Sequence, residues 1–397
     1  MTFLGYRRAD GSVGIRNKIL VVAVDECCEG IVRNIAKGFD EAVVLTNWYT
    51  CMLGGNEETY HQIIETGKHP NIVGVLIVAM GCGSFPIQEM AEEIGKTGKK
   101  TFTLTCQEVG GTKKTIEEGI RMVQTLKADI ERMKREEFDI KHLVVGVKCG
   151  GSDTSSGIAS NPSVGAAVDK LVDSGAICIG GELFELQGCQ DVLAKRAISP
   201  RVTEKINRLI DEEAKRWNVP GVDIETMSVG NCVGGITTIE EKSLGALYKT
   251  GTRPIVDALA ISKDGVEKPK GPGLYLSDVT MLCGGAGVNF AAMGVHVILW
   301  TSGAAGFNNA IVPVIRVSGN GDLFNEDMDI DATGIMESTD SVEAVSEKIM
   351  EKIIQVASGE KTAIEDLGDS TLTLYQKDRR LETLLGHERP SHGGCGQ

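Results

Sequence analysis

The stretch ILVVAVDECCEGIVRNIAKGFDEAVVLT, residues 19–46, decides the fold class. It opens with six consecutive apolar residues, passes through a polar turn into a helical pattern at residues 30–38, and closes with a second apolar run at residues 42–46. A short continuous apolar run is typical of a strand that is buried on both faces. The strand–helix–strand order therefore predicts a parallel sheet with helices packed against it.

The same alternation continues along the chain. Further strands are predicted at residues 73–79, 101–105, 143–147, 176–180, 295–301 and 312–317, and helices at residues 57–66, 86–97, 111–137, 161–174, 200–216 and 342–357. The pattern restarts after residue 137, where a charged helix gives way to a new apolar strand. We therefore predict an α/β protein with two Rossmann-like, doubly wound parallel-sheet domains, at residues 1–137 and 138–397.

The composition excludes several classes of protein. The chain of 397 residues carries a net charge of −14 and no basic stripe, so we expect no nucleic-acid binding. Its longest apolar runs have only the length of strands, so we expect no membrane span. The sequence contains no CxxC pair and no HExxH motif, which removes the strongest zinc signatures. The N-terminus has no apolar signal core, so we expect a cytoplasmic protein with reduced thiols.

Polar motifs follow the predicted strands of both halves, where open α/β sheets bind ligands. In the first half, Cys82 follows a strand within MGCGSF and is a candidate metal ligand, or a small hydrophobic residue in a tight turn. Glu108 follows the next strand within TCQEVGGTKKT and is a candidate acid–base group. After it come Gly110, Gly111 and Thr112, whose backbone N–H groups can hold a substrate carboxylate or simply form a turn and a helix cap.

The richest motif is VKCGGSDTSSGIASNPSVG, residues 147–165. It is a glycine-rich loop of hydroxyl groups between a strand and a helix, which suits an oxyanion or a polyhydroxy substrate. Asp153 is a candidate base or metal ligand. Cys149 is a candidate metal ligand, and the candidate substrate-binding residues are Gly150, Gly151, Ser152, Ser155 and Asn161. No GK[ST] ends the loop, so a nucleotide site is not supported.

Two further motifs carry candidate residues. GGELFELQGC places Glu182 and Glu185 three residues apart after a strand, where the carboxylates can converge on one cation or can simply favour a helix start. Of these two we take Glu182 as a metal ligand, together with Cys82 and Cys149. Lys242, in TTIEEKSLGALYKTG, is a candidate acid–base group, with an ordinary surface lysine as the alternative.

Several of these motifs resemble the altronate/galactarate dehydratase family. The matching stretches are GYRRADGSVGIRN at residues 5–17, QEVGGTKKT, KCGGSDTSSGIASNPSVG, GGITTIEEKSLGALYKTG, and PVIRVSGN with the later DMDID. They cover nearly the whole chain in the order that the family shows. The resemblance implies a hydro-lyase that acts on a sugar acid or a related 2-hydroxy acid by β-elimination. It also implies a divalent metal, with Fe²⁺ as the first choice and Mn²⁺ or Mg²⁺ as alternatives.

The resemblance also implies partners. Fuller members carry an N-terminal SAF domain, whereas this sequence begins at the GYRR motif. We therefore expect a catalytic large subunit with a separate SAF-domain small subunit, and a homo-oligomer. The (2R)-sulfolactate sulfo-lyase members, which release sulfite, are divided in this way and supply the alternative activity. Two departures from altronate dehydratases, NWYTCMLGG at residues 47–55 and Cys232, leave the substrate open.

Three other functions remain open from the residues alone. The chain can be a sugar-acid binding protein without activity, or a scaffold for the small subunit. A nucleotide-dependent α/β enzyme is the third alternative, and the missing phosphate loop disfavours it.

Overall fold

The computed structural model describes residues 1–48, 56–217, 229–302, 308–365 and 372–377. The strands, in chain order, are β1 (Thr2–Arg7), β2 (Val13–Gly14), β3 (Lys18–Ala23), β4 (Ala42–Thr46), β5 (Ile72–Ala79), β6 (Lys100–Thr105), β7 (Glu136–Asp139), β8 (Val144–Cys149), β9 (Ile177–Gly180), β10 (Ile255–Leu259), β11 (Ile261–Ser262), β12 (Gly265–Val266), β13 (Gly273–Ser277), β14 (Val297–Thr301), β15 (Val314–Ser318) and β16 (Ile330–Asp331).

The helices connect these strands. They are α1 (Glu29–Ala36), α2 (Glu57–Gly67), α3 (Ile87–Gly95), α4 (Cys106–Val109), α5 (Thr112–Ile130), α6 (Asn161–Asp173), α7 (Gln190–Arg196), α8 (Pro200–Trp217), α9 (Val229–Val233), α10 (Ile239–Tyr248), α11 (Cys283–Met293), α12 (Thr333–Met336) and α13 (Val342–Ala357). A π-helical turn, Ser156–Ser160, leads into α6. No helix within the described ranges is long and apolar enough to cross a membrane.

The first large sheet contains four parallel strands in the order β4–β3–β5–β6. Successive side chains of a strand point to opposite faces. Ile19 and Val21 of β3 therefore join the apolar cluster that contains residues of α1 and α5, whereas Leu20 and Val22 join the cluster that contains residues of α2 and α3. The continuous apolar run in the sequence reflects a sheet that is covered on both faces.

The second large sheet contains seven parallel strands in the order β10–β13–β9–β8–β14–β15–β16. The chain enters at β8, adds β9, β10 and β13 on one side, and then returns to place β14 on the other side of β8. Ligands in sheets of this kind bind at the carboxyl ends of the strands, where the order reverses. Cys149 and Thr301, the last residues of β8 and β14, pair with each other at that edge.

The two sheets share a buried apolar core. Leu20 and Ile77 of the first sheet lie in the same cluster as Tyr275, Phe290 and Trp300 from the second half. Helix α2 packs against α11. The short antiparallel sheet β2–β1–β7 adds a further connection, because β1 comes from the N-terminus and β7 lies just before β8.

Two buried histidines tie the halves together. The Nε2 atom of His69 lies 2.8 Å from the carbonyl oxygen of Val295, and the Nε2 atom of His296 lies 2.8 Å from the carbonyl oxygen of Val13. The two rings meet edge to face, with centroids 5.9 Å apart and an angle of 60° between the ring planes. Burial lowers the pKa of both rings, in His296 to about 4, so both are neutral at physiological pH.

The structure confirms an α/β fold with large parallel sheets. The helix predicted at residues 111–137 is wrong at its end, because α5 stops at Ile130 and Glu136–Asp139 forms β7. That strand exists through its pairing with β1, which lies more than 100 residues away and leaves no local signal. The sequence also missed β10, β13 and α11. Helix α11, CGGAGVNFAAM, is buried on nearly every side and so lacks an amphipathic period. Residues 49–55 of NWYTCMLGG lie outside the described residues.

Candidate active site

A cluster of buried polar side chains lies beyond the carboxyl ends of β8 and β9. Its members are Lys148, Cys149, Glu182, Glu185, Lys242 and Lys249, each at most 8% exposed. Charged side chains are almost never buried without partners, since the desolvation of each ion costs several kcal/mol. We call this group the Lys/Glu/Cys cluster.

Glu182 is held in a backbone conformation that few residues with a side chain adopt. It follows β9 with φ 66° and ψ 54°, in the left-handed region. Such a residue costs about 1–3 kcal/mol and persists only where its surroundings hold it. The Glu182 carboxylate accepts a hydrogen bond from the Cys149 N–H at 2.9 Å and another from the Lys148 ammonium. A 3₁₀ turn follows, and it brings Glu185 to the same thiol.

Each lysine of the cluster contacts a carboxylate. Lys148 pairs with Oε1 of Glu182, and the Nζ atom of Lys242 lies 3.1 Å from Oε1 of Glu185. The Nζ atom of Lys249 lies between the two carboxylates, 3.2 Å from Oε2 of Glu182 and 3.1 Å from Oε2 of Glu185. All four carboxylate oxygens therefore have an ammonium partner, which compensates for their removal from water.

These contacts set the charge of the cluster. Burial by itself lowers the pKa of Lys148, Lys242 and Lys249, but the neighbouring thiol and carboxylates outweigh it and raise the pKa of each above its usual range. Burial raises the pKa of the Glu185 carboxyl, but the lysines outweigh it and the pKa is lowered. Burial, assisted by both carboxylates, raises the pKa of the Cys149 thiol to about 11. Three ammonium groups against two carboxylates leave a net positive charge.

Helix α10 and the residue that follows it supply two of the three lysines. Lys242 and Lys249 are seven residues apart, about two helical turns, and so project from the same side. The helix begins at Thr238, whose side chain accepts a hydrogen bond from the Glu241 N–H at 3.2 Å. A Cβ at Gly165 would lie 1.9 Å from the carbonyl oxygen of Tyr248, so α6 and the end of α10 approach too closely for any side chain there.

A cavity of about 240 Å³ opens beside the cluster. Ser152, Asp153, Asn161 and Lys242 are among the residues that line it. Lys242 joins this cavity to the buried cluster, because its ammonium contacts the Ser152 hydroxyl and lies 3.0 Å from Sγ of Cys149. An acid bound in the cavity can therefore contact the Lys242 ammonium, which is itself bound to the buried Lys/Glu/Cys cluster.

Asp153 anchors the loop that lines this cavity. Its carboxylate accepts hydrogen bonds from the Ser155 hydroxyl at 2.7 Å, the Ser156 N–H at 2.8 Å and the Asn320 amide at 2.6 Å. Burial by itself raises the pKa of Asp153, but these hydrogen bonds outweigh it and the pKa is lowered. Asp153 is therefore charged at neutral pH and ties the loop after β8 to the loop after β15.

Three atoms of the cluster can hold a metal ion. Sγ of Cys149 and one carboxylate oxygen from each of Glu182 and Glu185 lie within 4.8 Å of one another. A thiolate with two carboxylates is a donor set that binds first-row divalent metals such as Fe²⁺ or Zn²⁺. The donors therefore fit such an ion. The Lys249 ammonium contacts both carboxylates, so a metal would compete with it for their oxygens.

The structure brings several predicted residues together. Cys149, Ser152, Glu182 and Lys242 form one connected set, and Asn161 lines the same cavity. Three further predicted residues, Gly150, Gly151 and Ser155, lie in the loop that follows β8. A Cβ at Gly150 would lie 2.5 Å from the Trp300 ring nitrogen, so a glycine is needed there.

The predicted residues of the first half lie elsewhere, beyond the carboxyl ends of β5 and β6. Cys82, Glu108, Gly110 and Thr112 are exposed and Gly111 is half-buried. Gly110 and Gly111 have φ values of 95° and 106°, as expected of a turn before a helix. Among the described residues, the group whose ligand atoms lie within 4.8 Å of one another contains Cys149 and Glu182 but not Cys82. Glu185 takes that place, because the 3₁₀ turn brings it beside the thiol.

The sequence analysis missed two lysines of the cluster. Lys148 interrupts the otherwise apolar strand VVGVKC, and a charge inside a buried strand is a signal that could have identified it. Lys249, the residue directly after α10, lies about two helical turns after Lys242, a spacing that places both side chains on one face.

Comparison with known proteins gives a consistent result over both halves. The family described as D-galactarate/altronate dehydratase, C-terminal, matches residues 140–379, and the family described as D-galactarate dehydratase/altronate hydrolase, second domain, matches residues 5–131.

Curated relatives match over most of the chain. The (2R)-sulfolactate sulfo-lyase subunit beta of Chromohalobacter salexigens is 30% identical, over 94% of this chain and 97% of that protein. The altronate dehydratase of Bacillus subtilis is 31% identical, over 90% of this chain and 74% of that protein. The galactarate dehydratase (L-threo-forming) of Escherichia coli is 28% identical, over 92% of this chain and 74% of that protein.

Proposed function

This chain belongs to the D-galactarate/altronate dehydratase family, and we propose that it is the catalytic large subunit of a lyase that removes water from a sugar acid or a related 2-hydroxy acid. The observation that carries this proposal is the position of Lys242, which lines the cavity and also contacts Cys149, Ser152 and Glu185. The net positive charge of the Lys/Glu/Cys cluster attracts the carboxylate of such an acid.

The reaction assigns different tasks to the cavity residues. β-Elimination removes a proton from the carbon next to the carboxylate and expels a hydroxide from the following carbon. The Lys242 ammonium and the Ser152 hydroxyl hold the substrate carboxylate and stabilise the negative charge that develops on it. Lys242, which its raised pKa keeps protonated, then donates a proton to the departing hydroxyl. The enol that forms tautomerises to a 2-keto acid.

Asp153 is the proposed base, because it lines the cavity and stays charged. Its hydrogen bonds make it a weak base, so it also serves to position the loop. In the first half, Glu108 is the alternative acid–base group, and Gly110, Gly111 and Thr112 are the alternative to Lys242 and Ser152 for holding the substrate carboxylate.

We propose a divalent metal, with Fe²⁺ first and Mn²⁺ or Mg²⁺ as alternatives, held by Cys149, Glu182 and Glu185. When bound, such an ion acts as a Lewis acid on the substrate oxygens. The thiolate donor favours Fe²⁺ over Mg²⁺, because Mg²⁺ prefers oxygen ligands only. Lys148 and Lys242 hold the outer carboxylate oxygens and so orient both ligands.

Sulfite release is the second candidate function. The match covers 97% of the sulfolactate sulfo-lyase subunit beta but 74% of the altronate dehydratase. The altronate dehydratase therefore has about a quarter of its length outside the region that matches this chain. A sulfo-lyase takes the same first step at the carbon next to the carboxylate and expels sulfite instead of hydroxide. The relative named as a subunit also supports a separate small subunit, for which we propose a SAF-domain chain.

We further propose two Rossmann-like domains, at residues 1–137 and 138–397, that assemble into a homo-oligomer. Two parallel sheets, each reversing its strand order once, support the division into domains. The shared apolar core means that the two domains fold against each other.

The experiment that tests the function is a substrate screen. The purified chain is incubated anaerobically with Fe²⁺ and with altronate, galactarate or (2R)-sulfolactate, with and without a SAF-domain chain from the same organism. A dehydratase forms a 2-keto-3-deoxy acid, and a sulfo-lyase forms pyruvate and sulfite. Binding of an acid without turnover under every condition would instead identify a binding protein.

The metal is tested separately from turnover. The apo chain is dialysed against Co²⁺, and the bound metal is counted and its thiolate charge-transfer band recorded. We expect one ion per chain, with the band absent in Cys149→Ser and the affinity reduced in Glu185→Gln. Unchanged binding in both variants would exclude the Lys/Glu/Cys cluster as the metal site.

A further inference from the structure

One buried acceptor, on a residue that lines the cavity, lacks a partner in the described structure. Asn161 is the first residue of α6 and is only 3% exposed. Its Nδ2 atom donates a hydrogen bond to the carbonyl oxygen of Gly245 at 2.9 Å, whereas its Oδ1 atom is buried without a hydrogen-bond partner in the described structure. A buried polar atom without a hydrogen bond destabilises the fold, because it has lost its water and gained no partner. Such an atom calls for a ligand that supplies a donor.

The orientation of this amide is fixed by its surroundings. Exchanging Oδ1 and Nδ2 of Asn161 would place two oxygens against each other at Gly245 and break the bond to its carbonyl group. That carbonyl group is held close because α10 packs against the π-helical turn at Gly157, where a Cβ added at Gly245 would lie 3.6 Å from the Gly157 Cα. The side chain therefore presents an acceptor to its free side, and no donor.

The cavity thus offers two kinds of polar group. Lys242 and Ser152 offer donors, which suit a carboxylate, while Asn161 offers an acceptor, which suits a hydroxyl. A sulfonate or phosphate oxygen has no proton to donate at neutral pH, so it would leave the Asn161 oxygen unpaired and face it with a like charge. A site that is built to bond a hydroxyl discriminates strongly against analogues that lack it.

We propose that Asn161 is a specificity-determining residue that accepts a hydrogen bond from a substrate hydroxyl that is not expelled in the reaction, and so selects acids that carry this hydroxyl over acids, such as sulfolactate, that lack it. The inference rests on the proposed function and extends it to the choice of substrate within the family. Gly245 acts through Asn161 by holding its amide in the selecting orientation.

The test combines a change in the protein with a change in the substrate. Wild type and Asn161→Leu are assayed on altronate, on analogues that each lack one hydroxyl not expelled in the reaction, and on (2R)-sulfolactate. We expect Asn161→Leu to lower kcat/KM for altronate about tenfold. For one analogue, the kcat/KM of wild type should be about tenfold lower than for altronate, and Asn161→Leu should lower it no further. The hydroxyl that this analogue lacks is the one that Asn161 binds. The sulfolactate activity should stay within about threefold of wild type or rise.

Controls separate selection from damage to the fold. Ser163→Ala is the matched control, because Ser163 lies on the same helix, its hydroxyl donates to the Ala159 carbonyl group at 2.8 Å, and it is not among the described residues that line the cavity. It should leave the substrate preference unchanged. Asn161→Ala serves as the second variant if Asn161→Leu does not fold. The proposal would be overturned if Asn161→Leu lowered kcat/KM equally on every substrate. It would also be overturned if the variant discriminated against every analogue as strongly as wild type does.

Binding measurements keep this test independent of turnover. Calorimetry compares the affinity of wild type and variant for altronate and for the same analogues. If wild type turns over none of the acids, the proposed function fails, while a preference for the hydroxylated acid that is lost in Asn161→Leu would still support the role of Asn161.

Discussion

Replacing Glu182 with glutamine tests how the buried charges are held. The Glu182 side chain is 1% exposed, and its carboxylate contacts the ammonium groups of Lys148 and Lys249. It also accepts a hydrogen bond from the Cys149 N–H at 2.9 Å. Glutamine has the same shape and can still accept that bond, so Glu182→Gln removes one charge with little change in packing.

The expected cost follows from the partners left behind. The variant leaves Lys148 and Lys249 buried with one fewer carboxylate, and the loss of one partner of a buried ion pair costs about 3–5 kcal/mol. We therefore expect the free energy of unfolding to fall by about that amount. Adding Lys249→Met to Glu182→Gln removes one of the positive charges left without a carboxylate. The double variant should therefore have a free energy of unfolding at least ~1 kcal/mol higher than Glu182→Gln alone.

The assay is urea unfolding followed by tryptophan fluorescence. Trp300 reports on this region, because the Lys148 ammonium lies 5.0 Å from the centre of its ring. Glu136→Gln is the control, since the Glu136 side chain is 47% exposed in its pair with Arg7 and such surface pairs contribute about 0–1 kcal/mol. If Glu182→Gln costs no more than Glu136→Gln, the lysines do not depend on this carboxylate and the charge balance described for the cluster is refuted.

Three further predictions follow from the same structure. Lys242→Met should lower kcat about 10²–10⁴-fold on whichever acid wild type converts, and turnover within threefold of wild type would remove its proton-transfer role. Because His69 and His296 are buried neutral, the unfolded chain binds more protons than the folded chain below pH 6.5, so stability should fall between pH 6.5 and 4, by about 3 kcal/mol for His296 alone. Urea midpoints across that range measure this effect, and a flat profile contradicts it. Gly165→Ala should destabilise the chain by more than 1 kcal/mol and reduce activity, since its Cβ would lie 1.9 Å from a carbonyl oxygen on α10, whereas Gly95→Ala, with open space around it, should be neutral in thermal melts.

The sequence predicted much of the fold because the strands are covered on both faces. Such strands appear as continuous apolar runs, and α13 was predicted with its observed bounds, Val342–Ala357, from its periodicity. The parts that failed depend on distant partners. Strand β7 forms only by pairing with β1, and α11 is buried so completely that no polar face marks it as a helix.

The motifs of the sequence were enough to identify the family and the loop after β8, since KCGGSD carries Cys149, Ser152 and Asp153 within a few residues. The packing of the chain, by contrast, brings Glu185 together with Cys149 and Glu182, whose ligand atoms lie within 4.8 Å of one another, and leaves Cys82 out of that group. The physical reason is that a buried charge needs partners from separate elements. Here the buried side chains come from β8, from the turn after β9 and from α10 with the residue that follows it. Tertiary packing brings these elements together, and no local sequence pattern predicts that packing.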